Sequence, residues 1–101
     1  MNKYILDDNG NPLVETDLLT WARWMETADR RVAYTDKGES RISTIFLGVD
    51  YAFSEQEPPI LYETMIFGGL HDQYQQRYAT RAEALAGHAV AVTLVQSRRE
   101  E

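Results

Sequence analysis

Apolar residues recur at spacings of three and four from Leu18 through Trp21, Ala22, Met25 and Ala28 to Val32. That period places them on one face of a helix, and Thr16 or Asp17 is suited to cap its first turn. Trp24 falls beside the stripe, where it is a candidate for contact with a partner as well as for the core. Ahead of the helix, "KYIL" and "LVE" flank "DDNGNP". This reads as a β-hairpin, because Asn9-Gly10 readily takes positive φ in a tight turn. A calcium loop fits poorly, since Pro12 and Leu13 interrupt the alternating oxygen ligands it would need.

After the helix the pattern changes to that of strands. "RRVAYT" and "RISTIFLGV" are predicted to pair across the polar turn "DKGES". Ser43, Ile45, Leu47 and Val49 share one face of the second strand, and Ile42, Thr44, Phe46 and Gly48 share the other. Both faces carry apolar residues, which predicts a central strand. "YAFSEQEPP" is too polar and proline-rich to continue the ladder, so "ILYETMIF" is the return strand. Glu63 then lies on the side of Leu61, Met65 and Phe67, where a carboxylate needs a partner. "RYAT" is a short edge strand. Thr80 and Glu83 form a capping box for a final helix whose stripe is Leu85, Ala89, Val92 and Val95, with Arg98 and Arg99 at its C-terminus. The expected fold is α+β: one domain over residues 1–101, a mostly antiparallel sheet of four to six strands, and two helices packed on one face.

Composition narrows the function classes. The 101 residues contain no cysteine, which excludes disulfides and thiol chemistry. No apolar run approaches the roughly 20 residues of a membrane helix, and the expectation is a cytoplasmic protein without membrane contact. Net charge is −6, so direct nucleic-acid binding is not expected. Residues 1–50 carry nine acids against six bases and residues 51–101 seven against four, so neither half builds the dense anionic face of a DNA mimic.

A hydrolase or metal site would have to collect Asp50, Glu63, His71 and His88. No histidine pair has ligand spacing, no serine sits in a nucleophile elbow, and Gly68-Gly69 opens no phosphate loop. No metal, cofactor or catalytic residue is therefore expected. His88, among Ala and Gly on the inner side of its helix, reads as a neutral core residue bonded to Glu63 or Asp50. Arg30, Arg31 and Arg77 with Tyr34, Tyr62 and Tyr78 could recognise an anionic ligand. The corresponding alternative pocket comprises Arg30, Arg77, Glu63 and His88.

"KYILDDNGNP", "DLLTWARWMETADRRVA", "STIFLGVD", "ETMIFGG" and "RYATRAEALAGH" together resemble small proteins encoded by tailed phages and prophages. The likeness spans nearly the whole chain. It implies a phage accessory product and carries no activity or functional residue with it. The leading expectation is a non-enzymatic protein that binds a host or phage protein in the bacterial host cell, as an inhibitor of host defence. Trp24, Asp50, Tyr51, Phe53, Glu55 and Glu57 are the expected contacts, because a proline-bounded loop sets aromatics beside carboxylates. A binder or minimal enzyme for an anionic ligand or nucleotide, and a homo-oligomeric structural part, are the alternatives.

Overall fold

The computed structural model describes residues 1–98, with side-chain surroundings as far as Gln96. Strands β1 (Tyr4–Leu6) and β2 (Pro12–Val14) form a hairpin; helix α1 (Leu18–Thr27) follows. Strands β3 (Arg31–Lys37), β4 (Ser40–Phe46), β5 (Tyr62–Phe67) and β6 (Gln75–Tyr78) then lead to helix α2 (Arg81–Arg98). The fold is α+β, as expected, but the strands divide into two antiparallel sheets, β1-β2 and β3-β4-β5-β6.

The turns follow from local chemistry. In the first hairpin only Gly10 takes positive φ, and Asn9 does not. The Asp7 carboxylate instead accepts from the backbone N–H groups of Asn9 and Asn11 at 2.9 and 2.8 Å, so an Asx-type turn replaces the paired positive-φ turn. Between β3 and β4 a two-residue turn places Gly38 at φ +59°, the first position, where a type II′ turn requires positive φ.

Helix α1 is capped by Asp17, whose carboxylate accepts from the N–H groups of Leu19 and Thr20. It ends one turn earlier than its stripe suggests, because Asp29 turns the chain by accepting from Arg31 N–H and Val32 enters β3. Leu18, assigned to the buried stripe by its spacing, is exposed. The helix is seated by Gly48: the Trp21 indole N–H and the Tyr4 N–H both donate to the Gly48 carbonyl, at 2.9 and 2.8 Å. Gly48 holds φ +78°, a conformation that favours glycine, and a Cβ there would also press on Met25 Sδ.

In the four-stranded sheet, one face holds Ile42, Thr44 and Phe46 from β4 opposite Ile66, Thr64 and Tyr62 from β5, all six buried. Helix α2 covers this face with Ala84, His88, Ala91 and Val95. Two apolar clusters result, Ile42-Ile66-Ala91-Val95 at one end and Phe46-Leu61-Tyr62-Ala84 at the other. The inner stripe of α2 thus lies one residue away from Leu85 and Ala89, both exposed. Small residues were chosen for contact over Leu85 because they let helix and sheet approach closely. Closest of all is Gly87, which faces the Tyr78 ring.

Gly87→Ala tests this seating. Glycine-to-alanine changes inside a helix ordinarily stabilise by up to about 1 kcal/mol. Here the new methyl would strike the ring of Tyr78, and we expect a net loss of about 1–3 kcal/mol in urea denaturation.

Candidate functional site

The loop between β4 and β5 is closed at its neck by Asp50. One Asp50 carboxylate oxygen accepts from Ala52 N–H at 2.8 Å and from Ile60 N–H at 2.9 Å. Beside it Tyr51 N–H donates to the Ile60 carbonyl and Leu47 N–H to that of Leu61. The Asp50 N–H donates to the Asn2 carbonyl, which ties the neck to the chain ahead of β1. Beyond the neck, Ser54 organises a turn through Gln56 N–H and Glu57 N–H. Phe53 stands at the tip, fully exposed. Its exposure is informative only as part of a contiguous patch, and Glu55 and Glu57 flank it.

Phe53 is continuous with other exposed apolar groups. Met1 and Asn2 line one shallow cleft with Phe53 and Glu55, and a second with Val14, Glu15 and Leu18. Met1, Val14, Leu18 and Leu19 are all more than half exposed. Sequence reasoning found Phe53, Glu55 and Glu57 from the proline-bounded loop but missed Met1, Val14 and Leu18. The available signal was the Leu18-Leu19 pair, since adjacent helical residues cannot both face a narrow core stripe.

On the sheet face away from α2, Ile45, Glu63 and Arg77 stand opposite one another on β4, β5 and β6. Glu63 is only 8% exposed. Arg77 Nε donates to its carboxylate at 2.9 Å, and the Gln75 amide donates to the same oxygen. The Arg77 guanidinium also lies 4.3 Å from the Tyr51 ring centre. Tyr51 is therefore partly engaged within the molecule, although 41% of it remains exposed.

His88 lies on the opposite face of the sheet from Glu63, so the expected bond between them does not form, nor does one to Asp50. Its Nδ1 is 2.7 Å from Thr44 Oγ1 and its Nε2 is 2.9 Å from Thr35 Oγ1. Thr44 Oγ1 is in turn 2.6 Å from Thr64 Oγ1. A neutral imidazole donates through one nitrogen and accepts through the other, so the ring is fully satisfied. Burial pushes its pKa down. Thr44 and Thr64 have no exposed surface and Thr35 is half-buried, so the chain of bonds runs inward from edge strand β3. The network is a strut between α2 and the sheet.

The alternative pocket of Arg30, Arg77, Glu63 and His88 is therefore not a pocket. Only Arg77 and Glu63 meet, while Arg30 donates to the Phe46 carbonyl at 2.9 Å. Asp50, Glu63, His71 and His88 do not converge, and no group of three potential metal ligands exists among the described residues. Trp24 also leaves the contact surface: its ring meets Phe46 edge-on at 5.8 Å, and it packs on the second core cluster. Asp50 contributes by shaping the loop, since one of its carboxylate oxygens holds the Ala52 and Ile60 N–H groups.

Two measurements check these assignments. Asp50→Ala should cost about 1–3 kcal/mol by leaving two N–H groups without their acceptor, and should speed hydrogen exchange at Ala52 and Ile60 but not at Thr44 or Ile66. For His88 the folded pKa is depressed, so the unfolded chain takes up the proton first as pH falls. Its stabilising contribution is complete above about pH 6.5 and is lost below that value as pH falls toward the folded pKa. Melting temperature should fall across that window in the native protein, and fall less steeply in His88→Gln.

Compared with known proteins, the chain matches no family model, no curated protein and no solved structure.

Proposed function

We propose that the protein acts by binding another protein, through the apolar strip formed by Phe53, Met1, Val14 and Leu18 with Glu15, Glu55 and Glu57 around it. The observation that carries this reading is the fully exposed Phe53 on a loop whose neck is held by Asp50. An aromatic anchor on a backbone already held at its neck needs less of the chain to be ordered on binding. The acids around it favour a partner whose apolar contact is surrounded by lysine and arginine. The basic groove of a bacterial nucleic-acid-binding protein has this chemistry, and covering it would inhibit a host-defence system. The resemblance to phage proteins supports the same direction.

Affinity capture from bacterial lysate with the native protein and with Phe53→Ala tests the assignment. Loss of Phe53 removes no internal contact of the core, so the variant should melt as the native protein does. Its affinity for a captured stoichiometric partner should fall by about thirtyfold or more, the equivalent of roughly 2 kcal/mol at an interface anchor. A partner retained at native affinity by both Phe53→Ala and Leu18→Ser would remove the strip from the interface.

A further inference from the structure

Strand β3 is the longer of the two outer strands of the four-stranded sheet, with seven residues against the four of β6. Among the described elements only β4 and α2 contact it, and α2 lies over its inner face, so its outer edge is uncovered. The devices that usually blunt such an edge sit at its two ends. A bulge interrupts the pairing between Arg31 and Ala33, and Lys37 closes the strand at the turn. Between them Tyr34, Thr35 and Asp36 keep regular register with Ser43, Ile42 and Arg41 of β4.

The hairpin fixes which backbone groups point outward. In a two-residue turn the flanking pair, here Lys37 and Ser40, exchanges both hydrogen bonds, and bonded and non-bonded pairs then alternate along the ladder. Ala33 and Thr35 therefore bond to β4, whereas Tyr34 and Asp36 turn their N–H and C=O groups away from it. Among the described residues no loop or cap takes up those groups. They form a template for one more antiparallel strand.

The side chains select one register for a second copy of β3. With a two-fold axis at Thr35, Tyr34 stands opposite Asp36 of the second copy on the outer face, and each such pair exchanges both backbone hydrogen bonds. The side chains suit one another, since within one strand the Tyr34 hydroxyl already donates to Asp36 at 3.0 Å. On the inner face the small Ala33 stands opposite Lys37. Moving the axis back to Tyr34 draws the bulge and Arg31 alongside Lys37 of the second copy, which sets cation beside cation. Moving it forward to Asp36 opposes two carboxylates.

We infer that two copies of this chain pair antiparallel through β3, with the two-fold axis at Thr35, and join their sheets into one continuous sheet. The surface is separate from the apolar strip around Phe53, which stays free for another partner.

Analytical ultracentrifugation over a range of concentrations, with amide hydrogen exchange at the two extremes, is the test. A dimer with a dissociation constant of about 1–100 μM is expected, as suits a small interface. Exchange at Tyr34 and Asp36 should slow about tenfold or more in the dimer, with no comparable change along β6. Asp36→Pro removes an N–H that the β3–β4 ladder does not use, so the monomer should keep its fold. Dimerisation should weaken about tenfold or more, because two symmetry-related bonds are lost. Phe53→Ala should dimerise as the native protein does. The inference is overturned by a native protein that stays monomeric up to about 1 mM, by a dimer in which the Tyr34 and Asp36 amides exchange as in the monomer, by native dimer affinity in Asp36→Pro, or by loss of the dimer in Phe53→Ala. The exchange measurement uses the native chain, so it decides the matter even where proline disturbs the strand.

Discussion

The close seating of α2 on β4 and β5 positions the rest of the molecule. It depends on small side chains at the contact, Ala84, Gly87 and Ala91, and on one polar residue among them. His88 finds hydroxyl partners on two different strands, Thr35 of β3 and Thr44 of β4. A rotation or slide of the helix would leave both imidazole nitrogens and the fully buried Thr44–Thr64 pair to be satisfied elsewhere, at a cost. The apolar clusters on either side of the strut supply most of the driving force, and the strut makes one orientation better than its neighbours.

That orientation determines what each surface can do. It brings the first turn of α2 beside the hairpin and sets Arg81 near Tyr62. Because Trp24 and the hairpin residues Tyr4 and Leu6 pack on the same cluster as Ala84, the elements outside the four-stranded sheet gather on one side of it. The other face is left with Arg31, Arg41 and Arg77 against Asp36 and Glu63. Its charges are internally engaged, with Arg77 on Glu63 and Tyr51, and Arg31 over the Tyr34 ring whose hydroxyl donates to Asp36. With bases outnumbering acids there, the acidic excess of the chain must lie on the remaining surfaces, including the loop that carries Phe53.

The elements were legible in the sequence because each has a local cause. The Thr80–Glu83 capping box, the Gly38 turn and the alternation through β4 and β5 were all readable without tertiary information. What was not legible was which neighbours meet across the fold. Leu85 attracted the stripe of α2 because hydrophobic spacing weights large side chains, whereas close helix–sheet contact selects small ones. Glu63 was correctly read as needing a partner. The choice between His88 and Arg77 depended on which face of the sheet received the helix, and spacing along one strand does not contain that information. For the same reason the cleft lined by Asn11, Tyr62 and Arg81 could not be read, since it joins a hairpin turn to a helix start about 70 positions away.

The short segment Gly48–Asp50 gives the exposed apolar strip its coherence. The Gly48 carbonyl accepts from Tyr4 and Trp21, Val49 bridges to Lys3, and Asp50 bonds Asn2 while closing the loop behind Phe53. The chain ahead of β1, the start of α1 and the loop after β4 are thereby fastened to the same three residues, although they come from distant parts of the sequence. Side chains on three independently moving segments would each have to be ordered when a partner bound. Fastened to one hub at the end of a central strand, Met1, Leu18 and Phe53 are presented by backbones that are already ordered, so less of the interaction energy is spent on assembling the surface.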